Sequence, residues 1–182
     1  MIKSDQLFLD LPFRTALGRV DFFVTQSNEA AVAWLDRWPD WPEPALFLYG
    51  PQGCGKSHLI RVWCTRTEAV AIKPAQLTLA AVPEIAGYGS VALDQVDHIV
   101  EYEPLLHLYN ILREQGGFLL LASRIPPRQL CIPLADLRSR LLAAQAVGIQ
   151  PPDDELLLAV MAKLFADRQV RVGQEVLSNF LI

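Results

Sequence analysis

The chain has 182 residues, 52% of them hydrophobic and 20% charged, with a formal net charge of −4. That length suits one domain, or one domain with a small appendage, and so much apolar material excludes a disordered chain. The acidic balance argues against a protein that lives on phosphate-backbone contacts. No run approaches the roughly eighteen apolar residues of a membrane span. The start, Met1-Ile2-Lys3-Ser4-Asp5-Gln6, lacks the basic and apolar parts of a secretory signal.

Along the chain, residues 1–20 differ from the rest: Gln6-Leu7-Phe8-Leu9-Asp10-Leu11-Pro12-Phe13 is apolar, closed by proline and without helical period. Ser27-Asn28-Glu29 offers an N-cap for a helix through Ala30, Ala31, Val32, Trp34 and Leu35, which Trp38-Pro39-Asp40-Trp41-Pro42-Glu43-Pro44 must end. Ala45-Leu46-Phe47-Leu48-Tyr49 reads as a buried strand, followed by Gly50-Pro51-Gln52-Gly53-Cys54-Gly55-Lys56-Ser57 and a helix to about 66. Val70-Ala71-Ile72 predicts a short strand, and 74–86 has no decided pattern. Ser90-Val91-Ala92-Leu93-Asp94 is a strand ending in an acid. A helix over 103–115 follows, with Leu105, Leu108, Tyr109 and Leu112 on one face, and Gly116-Gly117 stops it.

Phe118-Leu119-Leu120-Leu121-Ala122 is apolar throughout, as a fully buried strand is; 135–142 reads as helix and Ala146-Val147-Gly148-Ile149 as an edge strand. After Pro151-Pro152, Asp153-Asp154-Glu155 suit the positive end of a helix whose stripe is Leu156, Leu157, Val160, Met161, Leu164 and Phe165; another helix starts at Gly173. Apolar strands alternating with helices predict an α/β fold with a parallel sheet covered on both faces. Cys54, Cys64 and Cys131 show no paired metal-ligand spacing and read as thiols of a reducing cytoplasm.

Residues 50–57 match G-x-x-x-x-G-K-[ST], a phosphate-binding loop, between a strand and a helix as its geometry requires. The glycines let successive N–H groups point at phosphate oxygens, Lys56 can reach the β/γ-phosphates, and the Ser57 hydroxyl can ligate magnesium. Asp94, ending a neighbouring strand, stands in the Walker B place as the second magnesium residue. The next position, where ATPases of this plan carry an acid that orients water, holds Gln95, an amide that can position water but not take its proton. Nucleotide binding with weak intrinsic hydrolysis is the expectation. Ser123-Arg124 follows a buried strand where a side chain can sense the γ-phosphate. Arg138-Ser139-Arg140 lies on a helix from which an arginine could reach a neighbour's site.

These motifs converge. With Asp21-Phe22-Phe23-Val24, Ser27-Asn28, residues 50–57 and Leu93-Asp94, the runs Ile125-Pro126-Pro127-Arg128-Gln129-Leu130, Asp136-Leu137-Arg138-Ser139-Arg140-Leu141 and Gln150-Pro151-Pro152 resemble the AAA+ module of the DnaA/Hda family, nearer its Hda branch. The resemblance covers about 21–182 and implies a three-layer P-loop AAA+ core with a five-stranded parallel sheet and a partial helical lid. Its expected division is 1–20 as a terminal segment, 21–150 as the nucleotide-binding domain and 151–182 as the start of the lid.

By the same resemblance ADP or ATP with Mg2+ would be the cofactor, Phe22, Phe23 and Val24 would contact the base, and Arg140 would be an arginine finger acting in trans. An amide at Gln95 fits the Hda branch. Gln6, Leu7, Leu9 and Leu11 resemble the peptide by which Hda docks on the β sliding clamp of DNA polymerase III, an extended segment filling apolar pockets.

DnaA and the clamp are the implied partners, with a homodimer open, no sequence-specific DNA binding and no membrane, in a regulator that restrains replication initiation from the cytoplasm. Two features depart from the family: Arg124 stands where an acid is usual, and the sequence ends at Ile182, before the helix that carries a second sensor arginine. The sequence also carries no DnaA-type oligomerisation or origin-binding domain, so origin recognition is not expected. Alternatives are a DnaA-type or helicase-loader ATPase acting in its own oligomer, and a small-molecule P-loop kinase, whose arginine-rich lid is not matched by the leucines and acids here.

Overall fold

The computed structural model describes residues 24–153 and 156–157. Strands β1 (Ala45–Tyr49), β2 (Val70–Ile72), β3 (Ser90–Leu93), β4 (Phe118–Ser123) and β5 (Gln145–Gly148) form a five-stranded sheet in the order β2-β3-β4-β1-β5. Every ladder is parallel, with Leu48 opposite Ala122 and Val147, and Leu93 opposite Leu121.

Successive residues of a strand point to opposite faces, so a sheet covered on both sides needs apolar residues at every position. Ala45, Phe47, Val91, Leu93, Leu119 and Leu121 share one core with side chains of α3 (Val82–Ala86), α4 (Glu103–Glu114) and α5 (Ala135–Ala143). Leu46, Leu48, Ala92, Leu120 and Ala122 share the other with α1 (Glu29–Asp36) and α2 (Lys56–Thr67). The result is the expected three-layer α/β architecture.

Most elements fall within a residue or two of their sequence-based bounds. The undecided stretch resolves into a 3-10 turn, Pro74–Gln76, and the five-residue α3, too short to show a helical period although Val82, Ile85 and Ala86 are buried. The proline-rich segment after α1 packs rather than dangles: Trp41 stacks on Trp63 at 5.6 Å and donates from Nε1 to the Trp34 carbonyl at 2.8 Å.

At the far end, Asp153 Oδ1 accepts the Leu156 N–H at 2.8 Å, the cap expected where a helix opens. The rest of the lid stripe, the helix expected from Gly173, Phe22, Phe23 and the segment with Gln6, Leu7, Leu9 and Leu11 lie outside the described residues.

Candidate nucleotide site

The C-terminal edge of the sheet gathers the ends of β1, β3 and β4, with β4 between the other two. Parallel sheets bind ligands at this edge, because each strand there feeds a loop and the N-terminus of a helix. The Gly50 N–H donates to the Ser123 carbonyl at 3.2 Å, which fixes the start of the loop against β4. A Cβ on Gly50 would run into the Ile149 carbonyl, so no other residue fits without movement. Gly55 has φ 98° immediately before α2, a left-handed turn that brings the loop round onto the helix and that side chains disfavour.

Pro51, Gln52, Gly53 and Ser57 are exposed around this turn, while Cys54 and Lys56 are buried beneath it. The Lys56 ammonium donates to the carbonyls of Gly50 at 2.6 Å and Pro51 at 2.7 Å, and lies 3.5 Å from Cys54 Sγ. A cation is thus held inside the curl of the loop, next to the positive end of the twelve-residue α2. Both features favour an anion at the loop's mouth.

Ser57 Oγ donates to Asp94 Oδ2 at 2.6 Å, bringing together the two residues expected to share a magnesium ion. A hydroxyl and a carboxylate are hard oxygen ligands of the kind magnesium takes beside waters and phosphate. The residues present fit that group. Gln95 follows in the left-handed region, φ 61° and ψ 45°, with its N–H on Asp94 Oδ1 at 2.9 Å and its side chain exposed.

On the approach side, Val24 packs against the core of α1 and α2, and the Gln150 N–H donates to the Ser27 carbonyl at 3.0 Å. The Ile149 N–H donates to the Tyr49 carbonyl at 2.7 Å. The chain entering α1 and the chain leaving β5 therefore meet beside the phosphate loop.

Ser123 is fully buried: its Oγ accepts the Ile125 N–H at 3.2 Å and its carbonyl holds Gly50. Arg124 closes on Asp97, through its backbone N–H to Oδ1 at 3.2 Å and Nε to Oδ2 at 2.6 Å, with Nη2 2.7 Å from His98 Nε2. Burial works to raise the Asp97 pKa, yet the hydrogen bonds and charge of Arg124 outweigh it and leave the carboxyl below its ordinary value.

Arg140 is held on α5 by a two-pronged bond to Asp136, Nε to Oδ1 at 2.8 Å and Nη2 to Oδ2 at 2.9 Å, with its Cζ 5.4 Å from the centre of the Tyr109 ring. Arg138, on the same helix, is exposed. Burial pushes the Cys64 thiol up to about 11, which keeps it in the thiol form at neutral pH.

Sequence reasoning did not find the roles of Asp97, His98, Asp136 and Tyr109. Asp136 had a readable signal, an acid four residues before Arg140 on one helix. Asp97 had none, because its partner is 27 residues away and meets it only once β3 pairs with β4.

No family model matches the sequence. Among solved structures, the crystal structure of a DNA replication initiation factor matches with a TM-score of 0.75 and 20% identity over 87% of this chain and 57% of its own. The replication initiator DnaA bound to AMPPCP and single-stranded DNA gives 0.71 and 20% over 88% and 57%. Domain III of DnaA from Thermotoga maritima gives 0.69 and 21% over 86% and 76%. The chain spans little more than half the length of the first two. The fold is that of the AAA+ domains of DnaA proteins. No helix among the described residues is long and apolar enough to cross a membrane.

Proposed function

We propose that the protein is an Hda-like AAA+ regulator of replication initiation. On this reading it binds ADP or ATP with magnesium, docks on the β sliding clamp through Gln6, Leu7, Leu9 and Leu11, and promotes hydrolysis of DnaA-bound ATP by presenting Arg140 in trans. The observation that carries the reading is Gln95, whose backbone N–H bonds to Asp94 and whose exposed side chain is an amide rather than an acid, in a site otherwise equipped for a nucleotide. Such a site supports binding far better than water activation, and so a protein that responds to nucleotide more than one that consumes it.

The proposal assigns each residue a role. Residues 50–57 cradle the phosphates with backbone N–H groups, and Lys56 adds its positive charge. Ser57 and Asp94 would hold a magnesium ion, which would screen phosphate charge. By the family resemblance Phe22, Phe23 and Val24 would contact the base, while Ser123 anchors the loop through its carbonyl. Arg140, charged at every physiological pH, would stabilise charge developing on the phosphate of a neighbouring subunit. The division into a terminal docking segment (1–20), a nucleotide-binding domain (21–150) and a lid from 151 belongs to the same proposal.

A second reading, a DnaA-type ATPase acting in its own oligomer, draws on the fold likeness to an AMPPCP-bound initiator. Two variants separate the readings. Gln6→Ala with Leu9→Ala should abolish capture by purified clamp and leave nucleotide affinity intact; Arg140→Ala should retain clamp capture and lose stimulation of DnaA. A wild-type chain that ignores the clamp but hydrolyses ATP cooperatively with its own concentration would favour the second reading.

A further inference from the structure

We propose that Asp136 is a positioning residue for Arg140, fixing which edge of the guanidinium faces a neighbouring phosphate. The inference rests on the trans-acting role of Arg140 and adds a residue to it. An arginine carries five N–H donors on two usable edges. The contact to Asp136 consumes the Nε–H and one N–H of Nη2, at 2.8 and 2.9 Å. The Nη1 group and the second N–H of Nη2 lie on the other edge, which can itself take two phosphate oxygens side by side. Carboxylate and phosphate can therefore grip one guanidinium together.

Three features make the contact orienting rather than inhibitory. The Asp136 side chain is 56% exposed and that of Arg140 24%, and an ion pair open to water is too weak to hold an arginine away from a triphosphate. The acid precedes the base by four residues, the favourable order on a helix. Arg140 also lies in the last turn of α5, where the guanidinium could otherwise fold towards the terminal carbonyls. Asp136 draws it the other way, above the Tyr109 ring of α4, a face that attracts cations. The hydrogen bonds from Arg140 also hold the Asp136 carboxyl below its ordinary pKa, so the pair stays charged across the working range.

The test measures single-turnover hydrolysis of DnaA-bound ATP against increasing concentrations of wild type, Asp136→Asn, Asp136→Glu and Arg140→Ala, with DNA-loaded clamp present. Asp136→Asn should lower the maximal stimulated rate about tenfold to a hundredfold, the scale of a misplaced reacting group, with the half-saturating concentration unchanged. Asp136→Glu, which keeps a carboxylate in reach, should recover most of that rate. Carbon-detected NMR titration should find the Asp136 carboxyl below ordinary aspartate in wild type and restored towards it in Arg140→Ala.

If Asp136→Asn equals or exceeds wild type while Arg140→Ala is inactive, the positioning role is wrong and the finger reading survives. Full stimulation by Arg140→Ala overturns both. An Asp136 titration indifferent to Arg140 shows that the fork does not exist in solution and overturns the positioning role alone.

Discussion

Ser57 and Asp94, 37 residues apart in sequence, meet at the edge of the sheet through a 2.6 Å hydrogen bond from Oγ to Oδ2. Strand β4 lies between β1, which leads into the loop, and β3, which ends just before Asp94, so their meeting depends on the loop and the start of α2 bringing Ser57 across. On the proposed reading this hydroxyl and carboxylate would share one hard cation. Ser57→Ala should weaken magnesium–nucleotide binding while hardly changing affinity measured with EDTA present. Calorimetric titrations with and without magnesium check this, and equal losses under both conditions would remove Ser57 from the metal.

Lys56 contributes charge to the loop and also binds two of its carbonyls. Charge-assisted hydrogen bonds are worth about 1.5–3 kcal/mol, so Lys56→Ala should lower ADP affinity roughly tenfold to a hundredfold. Thermal unfolding without nucleotide separates this loss from damage to the loop. Unchanged ADP affinity in a folded variant would remove the phosphate-loop assignment.

On the proposed reading Gln95 stands where a water-orienting acid would, with its backbone N–H on Asp94 and its side chain exposed. Gln95→Glu should raise steady-state ATP turnover of the isolated chain, because a carboxylate can accept the proton that the amide cannot. Robust hydrolysis by wild type would contradict this account of the position.

The Asp97–Arg124 contact ties the loop after β3 to the end of β4 and makes stability depend on pH. The folded-state pKa of Asp97 lies below its unfolded value, so the stabilisation is fully present above the ordinary aspartate range. It is lost as pH falls from about 4 through the folded pKa. The Asp97 side chain is 8% exposed and that of Arg124 54%, so solvent screening limits the gain to about 1 kcal/mol. Asp97→Asn should lower the unfolding temperature at pH 7, and the difference from wild type should narrow below pH 4. A difference that stays constant from pH 7 to pH 3 would show that the charge is not its source.

The three layers and the phosphate loop were legible because each rests on local sequence. Leu46, Phe47 and Leu48 are apolar on both faces of one strand, and the glycine spacing of residues 50–57 has few other uses. Val82 to Ala86 escaped because one turn and a half of helix carries no period. The place of Asp94 at a strand end is readable in the sequence, and the structure sets its carboxylate against Ser57. Asp97 was not, since its meaning comes from Arg124 on another strand's loop. Asp136 was within reach of the helical i,i+4 rule, since it precedes Arg140 by four residues on one helix face.

The most direct test is the rate at which ATP bound to DnaA is hydrolysed when this chain is added with clamp on DNA. The account predicts stimulation on the order of a thousandfold by wild type, the scale of an arginine finger, and none by Arg140→Ala, with Arg138→Ala close to wild type. Stimulation by Arg140→Ala equal to wild type, or none by wild type bound to the clamp, would contradict it.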